Sequence, residues 1–200
     1  MGSSTKTEEV SEVAVPKEKK GSGLCFVADT ILRVLLIGVT VASVAVMVTS
    51  KQTKRLPVTL PVVGTVLVPV DAKFTHSPAF IYLVVAMSVT CLYSIITSIA
   101  SCITSCKPSC TSATLLAFAY FDVLALGIVA SATGAAGGVA YIGLKGNEHV
   151  RWNKICSTYD SFCHHVGGAI ALSLAAAVIL SILCHLSIFA LYSKLRRSSC

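Results

Sequence analysis

The chain has 200 residues, of which 54 % are hydrophobic and 12 % charged, with a net charge of +7. That charged share is about half the usual 25 %, and the mean hydropathy is +0.80. Too few charges remain to cover a soluble surface of this size, and they fall in clumps separated by long apolar runs. A cytosolic enzyme, a disordered scaffold and a nucleic-acid binder are excluded, and the chain reads as a polytopic membrane protein.

Residues 1–23 are polar, with Glu8, Glu9 and Glu12 ahead of Lys17, Glu18, Lys19 and Lys20, and read as a disordered tail. The first apolar stretch starts too late and runs too long for a cleavable signal peptide. Met1-Gly2 suggests myristoylation, but Lys6 stands where that pattern wants Ser or Thr.

Four apolar runs follow, at residues 24–49, 79–103, 113–144 and 166–192. Each exceeds the roughly 20 residues needed to cross about 30 Å of hydrocarbon. The chain therefore predicts an all-α membrane protein, a four-helix transmembrane bundle with a short tail at 193–200. A fifth apolar patch, Leu56 to Val70, carries Pro57, Pro61 and Pro69, which forbids a spanning helix. Its Val and Thr content suits a short β-hairpin turning at Gly64 within the first outer loop, residues 50–78.

Four spans put both termini on one side. With the tails inside, the cytoplasmic segments carry eight positive residues and the outer loops seven, so the positive-inside rule does not decide the orientation. Cysteines do more. Cys156 and Cys163, in the second outer loop (145–165), fit a disulfide only if that loop faces an oxidising compartment. Cys102, Cys106 and Cys110, around the short loop after the second span, are candidate S-acylation sites only on a cytoplasmic face. Both point to cytoplasmic termini.

Two charges lie at membrane depth, Arg33 in the first run and Asp122 in the third. A lone ion there costs about 2.5–3.5 kcal/mol on insertion scales. The two helices run parallel, and each residue stands nine positions past the start of its run, roughly 13 Å in. Equal depth lets them pair and neutralise each other. The alternative pairs Arg33 with Asp29, four residues earlier, and leaves Asp122 protonated. His185, seven residues from the end of the antiparallel fourth run, falls in the same layer. Three ionisable groups at one level allow a proton relay in a small channel or proton-coupled carrier, or a structural clasp. No proline interrupts any of the four runs, unlike the broken helices of many transporters, which favours the clasp.

Small residues repeat every fourth position as Ala130, Gly134 and Gly138 in the third run and as Gly167, Ala171 and Ala175 in the fourth. Such ridges let helix backbones approach closely, within one bundle or between copies. No Cys-x-x-Cys pair, zinc pattern, phosphate loop or nucleophile elbow occurs, so no catalytic role, metal or cofactor is expected. Cys163, His164 and His165 are adjacent, but neighbours in sequence rarely converge on one metal.

Four segments together carry a resemblance: ADTILRVLLIGVTVASVAVMVTSKQT, FTHSPAFIYLVVA, AFAYFDVLALGIVASATGAAGGVAYIGLKGN and HVRWNKICSTYDSFCHHVGGAIALSL. Over about residues 24–192 the chain closely resembles plant CASP-like proteins, relatives of the Casparian strip membrane domain proteins, and most closely their group 1. The resemblance implies a MARVEL-related four-helix fold in the plasma membrane with both tails cytoplasmic. The family's Arg in the first helix matches Arg33, its Asp in the third Asp122, its loop cysteines Cys156 and Cys163, and its loop tryptophan Trp152. It further implies homo- and hetero-oligomers in contact with membrane lipid, forming an immobile platform that recruits wall-modifying enzymes. The first outer loop, LPVTLPVVGTVLVPVDAKF, departs from the polar-aromatic stretch of the strict Casparian strip members, which makes the chain a CASP-like relative.

Overall fold

A computed structural model describes residues 19–60, 64–105, 112–150 and 152–198. Four helices span Lys19–Thr49 (α1), Pro78–Ser105 (α2), Ser112–Lys145 (α3) and Asp160–Ser198 (α4), and a two-stranded sheet, Lys51–Leu60 (β1) with Gly64–Lys73 (β2), stands between α1 and α2. All four helices are long and apolar enough to cross a membrane, over Val27–Thr49, Pro78–Ser101, Leu116–Lys145 and Asp160–Ser193. In hydrocarbon the backbone must satisfy its own hydrogen bonds, and an apolar segment of this length does so only as a helix.

The helices form an up-down-up-down ring: α1 packs on α2 and α4, and α3 packs on α2 and α4. α1 and α3 therefore face each other across the diagonal. Leu36, Met47, Leu83, Met87, Val129, Leu180 and Leu183 fill the centre. Alanines and hydroxyls line the seams, with Ala132, Ala136, Ala169, Ala176, Ser43, Thr90, Ser94 and Ser173 all buried. Large aliphatic side chains such as Leu35, Val41, Ile96 and Leu174 point outward instead. Lipid tails are as apolar as leucine, so the interior is selected for close approach and hydrogen bonding rather than for hydrophobicity. Ser43 Oγ donates to the Ala169 carbonyl at 3.0 Å, joining α1 to α4, and Thr133 Oγ1 meets Ser173 Oγ at 3.0 Å, joining α3 to α4.

Two helices outrun their apolar cores by several residues. α1 begins at Lys19, inside the stretch expected to be disordered tail, and α4 runs to Ser198, through most of the expected second tail. α4 also starts six residues earlier than its apolar run, so Cys163 stands in its first turn and the second outer loop ends at 159. A helix needs no hydrophobic sequence outside the bilayer, because its backbone bonds stay internal.

The antiparallel hairpin pairs Lys51 with Lys73 through Leu60 with Gly64, and Gly64 takes a positive φ of 81°, the region glycine enters without steric penalty. Alternation sets Leu56, Val66, Val68, Val70 and Ala72 on one face and Thr53, Arg55, Asp71 and Lys73 on the other. The apolar face meets the bundle at its base, where Leu56 and Ala72 pack against the core. Tyr159 donates its hydroxyl to the Val70 carbonyl at 3.1 Å, and Gln52 Oε1 accepts the Phe162 amide at 3.0 Å. Phe162 lies in the first turn of α4, whose amides have no partner inside the helix, so the hairpin between α1 and α2 caps the last helix.

Candidate functional site

The ionisable residues at membrane depth converge. Within their spans Arg33 and Asp122 each stand six residues past the start, and Ser187 six before the end, which places them in one layer about 9 Å inside the tail-side edge. Only a long side chain reaches from α1 to α3 across the diagonal, and arginine provides both the length and a two-pronged donor. Arg33 Nη2 lies 3.1 Å from Asp122 Oδ2, and Nη1 lies 3.3 Å from Oδ1. Arg33 is 2 % exposed and Asp122 fully buried.

Three helices add hydrogen bonds and α3 adds a ring contact. Asp29, on α1, accepts from Arg33 Nε at 3.1 Å, so the two alternative partners of Arg33 are engaged together. From α2, Thr97 Oγ1 accepts from Arg33 Nη1 at 3.0 Å and Tyr93 donates its hydroxyl to Asp122 Oδ1 at 2.6 Å. From α4, Ser187 Oγ donates to Asp122 Oδ2 at 3.3 Å. The Phe118 ring of α3 lies 5.8 Å from the guanidinium carbon, within cation–π range. Among the described residues no buried side-chain nitrogen or oxygen lacks a partner. Such satisfaction is the condition on which a buried ion pair is tolerable at all.

His185 does not join this layer. It is exposed on the outer surface of α4, its Nδ1 2.7 Å from the Ser181 carbonyl of its own helix. Ser187, two residues on, turns inward in its place, because a two-residue step on a helix rotates the side chain by about 200°. The polar pathway expected of a relay through Arg33, Asp122 and His185 therefore loses its histidine.

The six small residues of the two ridges, Ala130, Gly134 and Gly138 on α3 and Gly167, Ala171 and Ala175 on α4, are all exposed. The seam between α3 and α4 runs one face over, through Ala132, Ala136, Ala169, Ser173 and Ala176. At the opposite end Cys156 and Cys163 form a disulfide that ties the loop between α3 and α4 to the first turn of α4. Trp152 is 57 % exposed and pairs through its backbone with Asn147. Cys102 lies on α2, its side chain outside the described part, and Cys106 and Cys110 lie outside the described residues.

Residues 22–179 match the Casparian strip membrane protein domain. The chain belongs to this family. It is 59 % identical over 170 residues to CASP-like protein 1D1 of Vitis vinifera, covering 84 % of this chain and 80 % of that one. With CASP-like protein 1D1 of Arabidopsis thaliana it shares 49 % identity over 197 residues, 98 % of this chain and 100 % of the other. CASP-like protein 1D2 of Glycine max is 51 % identical over 170 residues, 84 % and 85 % of the two chains. No solved structure matches.

Sequence patterns did not mark Tyr93, Thr97 and Ser187 as part of the cluster. Membrane helices hold many hydroxyls that bond back to their own carbonyls, as Thr40, Thr90 and Ser94 do here. The one available signal was depth: Thr97 and Ser187 lie four and six residues from the tail-side ends of their spans, level with the two charges.

Proposed function

We propose that the protein is a non-enzymatic scaffold of the plasma membrane, with both termini cytoplasmic, that associates with itself and with related family members to organise a local membrane domain linked to cell-wall modification. The observation that carries it is the outward placement of both small-residue ridges. Close packing on the lipid-facing surface serves nothing inside the bundle, whose own α3–α4 seam uses other residues, and it is the geometry through which helices of separate copies approach. The Arg33–Asp122 cluster holds the bundle shut at the tail side, and the disulfide loop and hairpin present an ordered surface at the other. The disulfide supports a non-cytoplasmic location for that surface.

Two tagged copies in plant plasma membrane test this by co-precipitation and by fluorescence recovery after bleaching. Mutual precipitation with slow recovery is the expected result. Replacing Gly134 and Gly138 with Ile, at exposed positions where a Cβ meets nothing within 4 Å, should abolish the precipitation, with thermal unfolding of the variant checking its fold. Free diffusion of a monomer sinks the proposal, and so does full precipitation of the Ile variant. A pH-dependent current lost in His185→Ala at normal expression instead supports a channel or carrier.

A further inference from the structure

At the hairpin end of the membrane a cavity of about 350 Å³ lies between the last turns of α3 and the first turns of α4. Its floor is buried: Phe80, Phe162 and Val166 are all less than 10 % exposed. The Cys156–Cys163 disulfide forms a wall. Gly137, Gly143 and Gly167 leave room on the helix sides, since a Cβ at any of them meets nothing within 4 Å. The volume falls within the roughly 300–1,000 Å³ of small-molecule sites. Val139, Tyr141 and Leu144 at its edge are 39 %, 64 % and 55 % exposed and lie within the membrane-spanning part of α3, so the cavity opens sideways into hydrocarbon. Apolar cavities stay dry and take up apolar guests, and the guest available here is a lipid tail.

A second cavity, of about 460 Å³, is lined by Lys145 to Glu148, just past the first cavity's part of α3, and by residues on both sides of Ile155 and Cys156. Leu144 and Cys156 line the first; Lys145 and Ser157 line the second. Its lining is polar, and Lys145 and Lys154 outweigh Glu148 by one charge. Neither lysine has an ion-pair partner among the described residues. An apolar chamber next to a polar one with a positive charge in excess matches a lipid with a hydrocarbon tail and an anionic phosphate headgroup.

We propose that this pair of cavities binds one anionic phospholipid of the hairpin-side leaflet, its acyl chain against Phe80 and Phe162 and its phosphate between Lys145 and Lys154. The site is formed by a single copy; Gly167 belongs both to the chamber and to the α4 ridge, so Gly143→Leu, which lies on neither ridge, is the variant that separates lipid binding from self-association. Extracting the full chain from phosphatidylcholine vesicles containing a minority of phosphatidylglycerol, and weighing it with retained lipid by native mass spectrometry, tests it. One retained phosphatidylglycerol is expected. Gly143→Leu and Gly167→Leu each add a side chain at the chamber wall, where a Cβ meets nothing within 4 Å, and each lowers retention about tenfold, a ratio equivalent to about 1.4 kcal/mol. Gly127→Leu, on the same helix with equally open space but outside the cavity, retains lipid like the natural chain. The pair Lys145→Ala and Lys154→Ala keeps a lipid but loses the preference for phosphatidylglycerol over phosphatidylcholine. Thermal unfolding of each variant confirms its fold. No retained lipid in the natural chain overturns the proposal, as does equal retention in the folded Gly143→Leu and Gly167→Leu variants or a loss in Gly127→Leu matching theirs.

Discussion

Removing one member of the Arg33–Asp122 pair is not equivalent to removing the other. In Arg33→Ala the Asp122 carboxylate keeps Tyr93 and Ser187 as donors but loses the cation that pairs with it among the described residues. Stripping the partner from a fully buried charge costs about 3–5 kcal/mol. In Asp122→Ala the guanidinium keeps Asp29 at 3.1 Å and Thr97 at 3.0 Å, so it stays neutralised. The loss is then the hydrogen bonds to a charged group, about 1.5–3 kcal/mol. Arg33→Ala should therefore be the more damaging, by about 1–2 kcal/mol, which for a chain of this size lowers the unfolding midpoint by a further 2–8 °C or so. Combining Arg33→Met with Asp122→Asn removes both charges at similar volume, and should cost less than the sum of the single changes by about 2 kcal/mol. Exchanging the two residues, Arg33→Asp with Asp122→Arg, sets the incoming carboxylate four positions from Asp29, a like-charge pair on one face of α1. The exchange therefore rescues only in part, and more fully with Asp29→Asn added. Midpoints of the purified variants in micelles, alongside surface abundance in cells, measure all of this. Equal losses from both single changes and an additive double refute the clasp.

Three further outcomes follow from the geometry of the two loops at the hairpin end. Gly146 ends α3 at φ +71°, and a Cβ there meets the Trp152 carbonyl oxygen at 2.8 Å. Gly146→Ala should therefore cost about 2 kcal/mol or more, seen as a lower unfolding midpoint, whereas Gly127→Ala should be neutral or stabilising. The Cys156–Cys163 bridge closes a ring across a separation of seven residues, for which chain entropy gives about 2.5 kcal/mol. Replacing both with Ser should speed proteolysis between residues 146 and 159 while the spans stay protected. Asp71 accepts from Thr53 at 2.6 Å and pairs with Lys73 at 2.9 Å, and these partners, Thr53 first, hold its carboxyl below the ordinary 3.8. A depressed folded value means that the stabilisation is complete above the unfolded value and lost as pH falls through the folded one. Amide protection at the hairpin base, taken relative to the intrinsic exchange rate at each pH, should thus be independent of pH near neutrality and fall below about pH 4, and Asp71→Asn should remove that pH dependence.

How much of this was legible depends on where a residue's cost is paid. Arg33 and Asp122 were visible because an unpaired ion in hydrocarbon is so unfavourable that its presence implies a partner, and equal offsets from the run starts identified one. The four spans were visible for the same kind of reason, since length and hydropathy alone decide what enters a bilayer. The seam between α3 and α4 was not. Both helices carry several small-residue faces, and where lipid and core are equally apolar, hydropathy cannot tell the inward face from the outward one. The start of α4 was hidden by Asp160, His164 and His165, polar residues that a helix accepts above the membrane surface. The hairpin extended past its apolar patch to Lys51 and Lys73 because its base is held by Tyr159 and Gln52, contacts across 89 and 110 residues that local pattern does not contain.

The hairpin also bears on which surface can join copies of the chain. A two-stranded sheet has two open edges, the usual template for strand addition. Pro57 stands opposite Leu67 and Pro69 opposite Arg55. Proline donates no hydrogen bond, so both must occupy pairs whose backbone groups turn away from the partner strand. Each therefore removes an outward amide near the middle of its edge, one on β1 and one on β2. Lys51 and Arg55 share that outward register on β1, whereas on β2 Lys73 is paired with Asp71. A second hairpin laid along either edge meets a gap in its ladder, and along β1 positive charge as well. Association through the strands is thus opposed on both sides, whereas the ridges of α3 and α4 lie open along the lipid-facing surface. If copies of this chain assemble, the helices and not the exposed sheet are the surface built to do it.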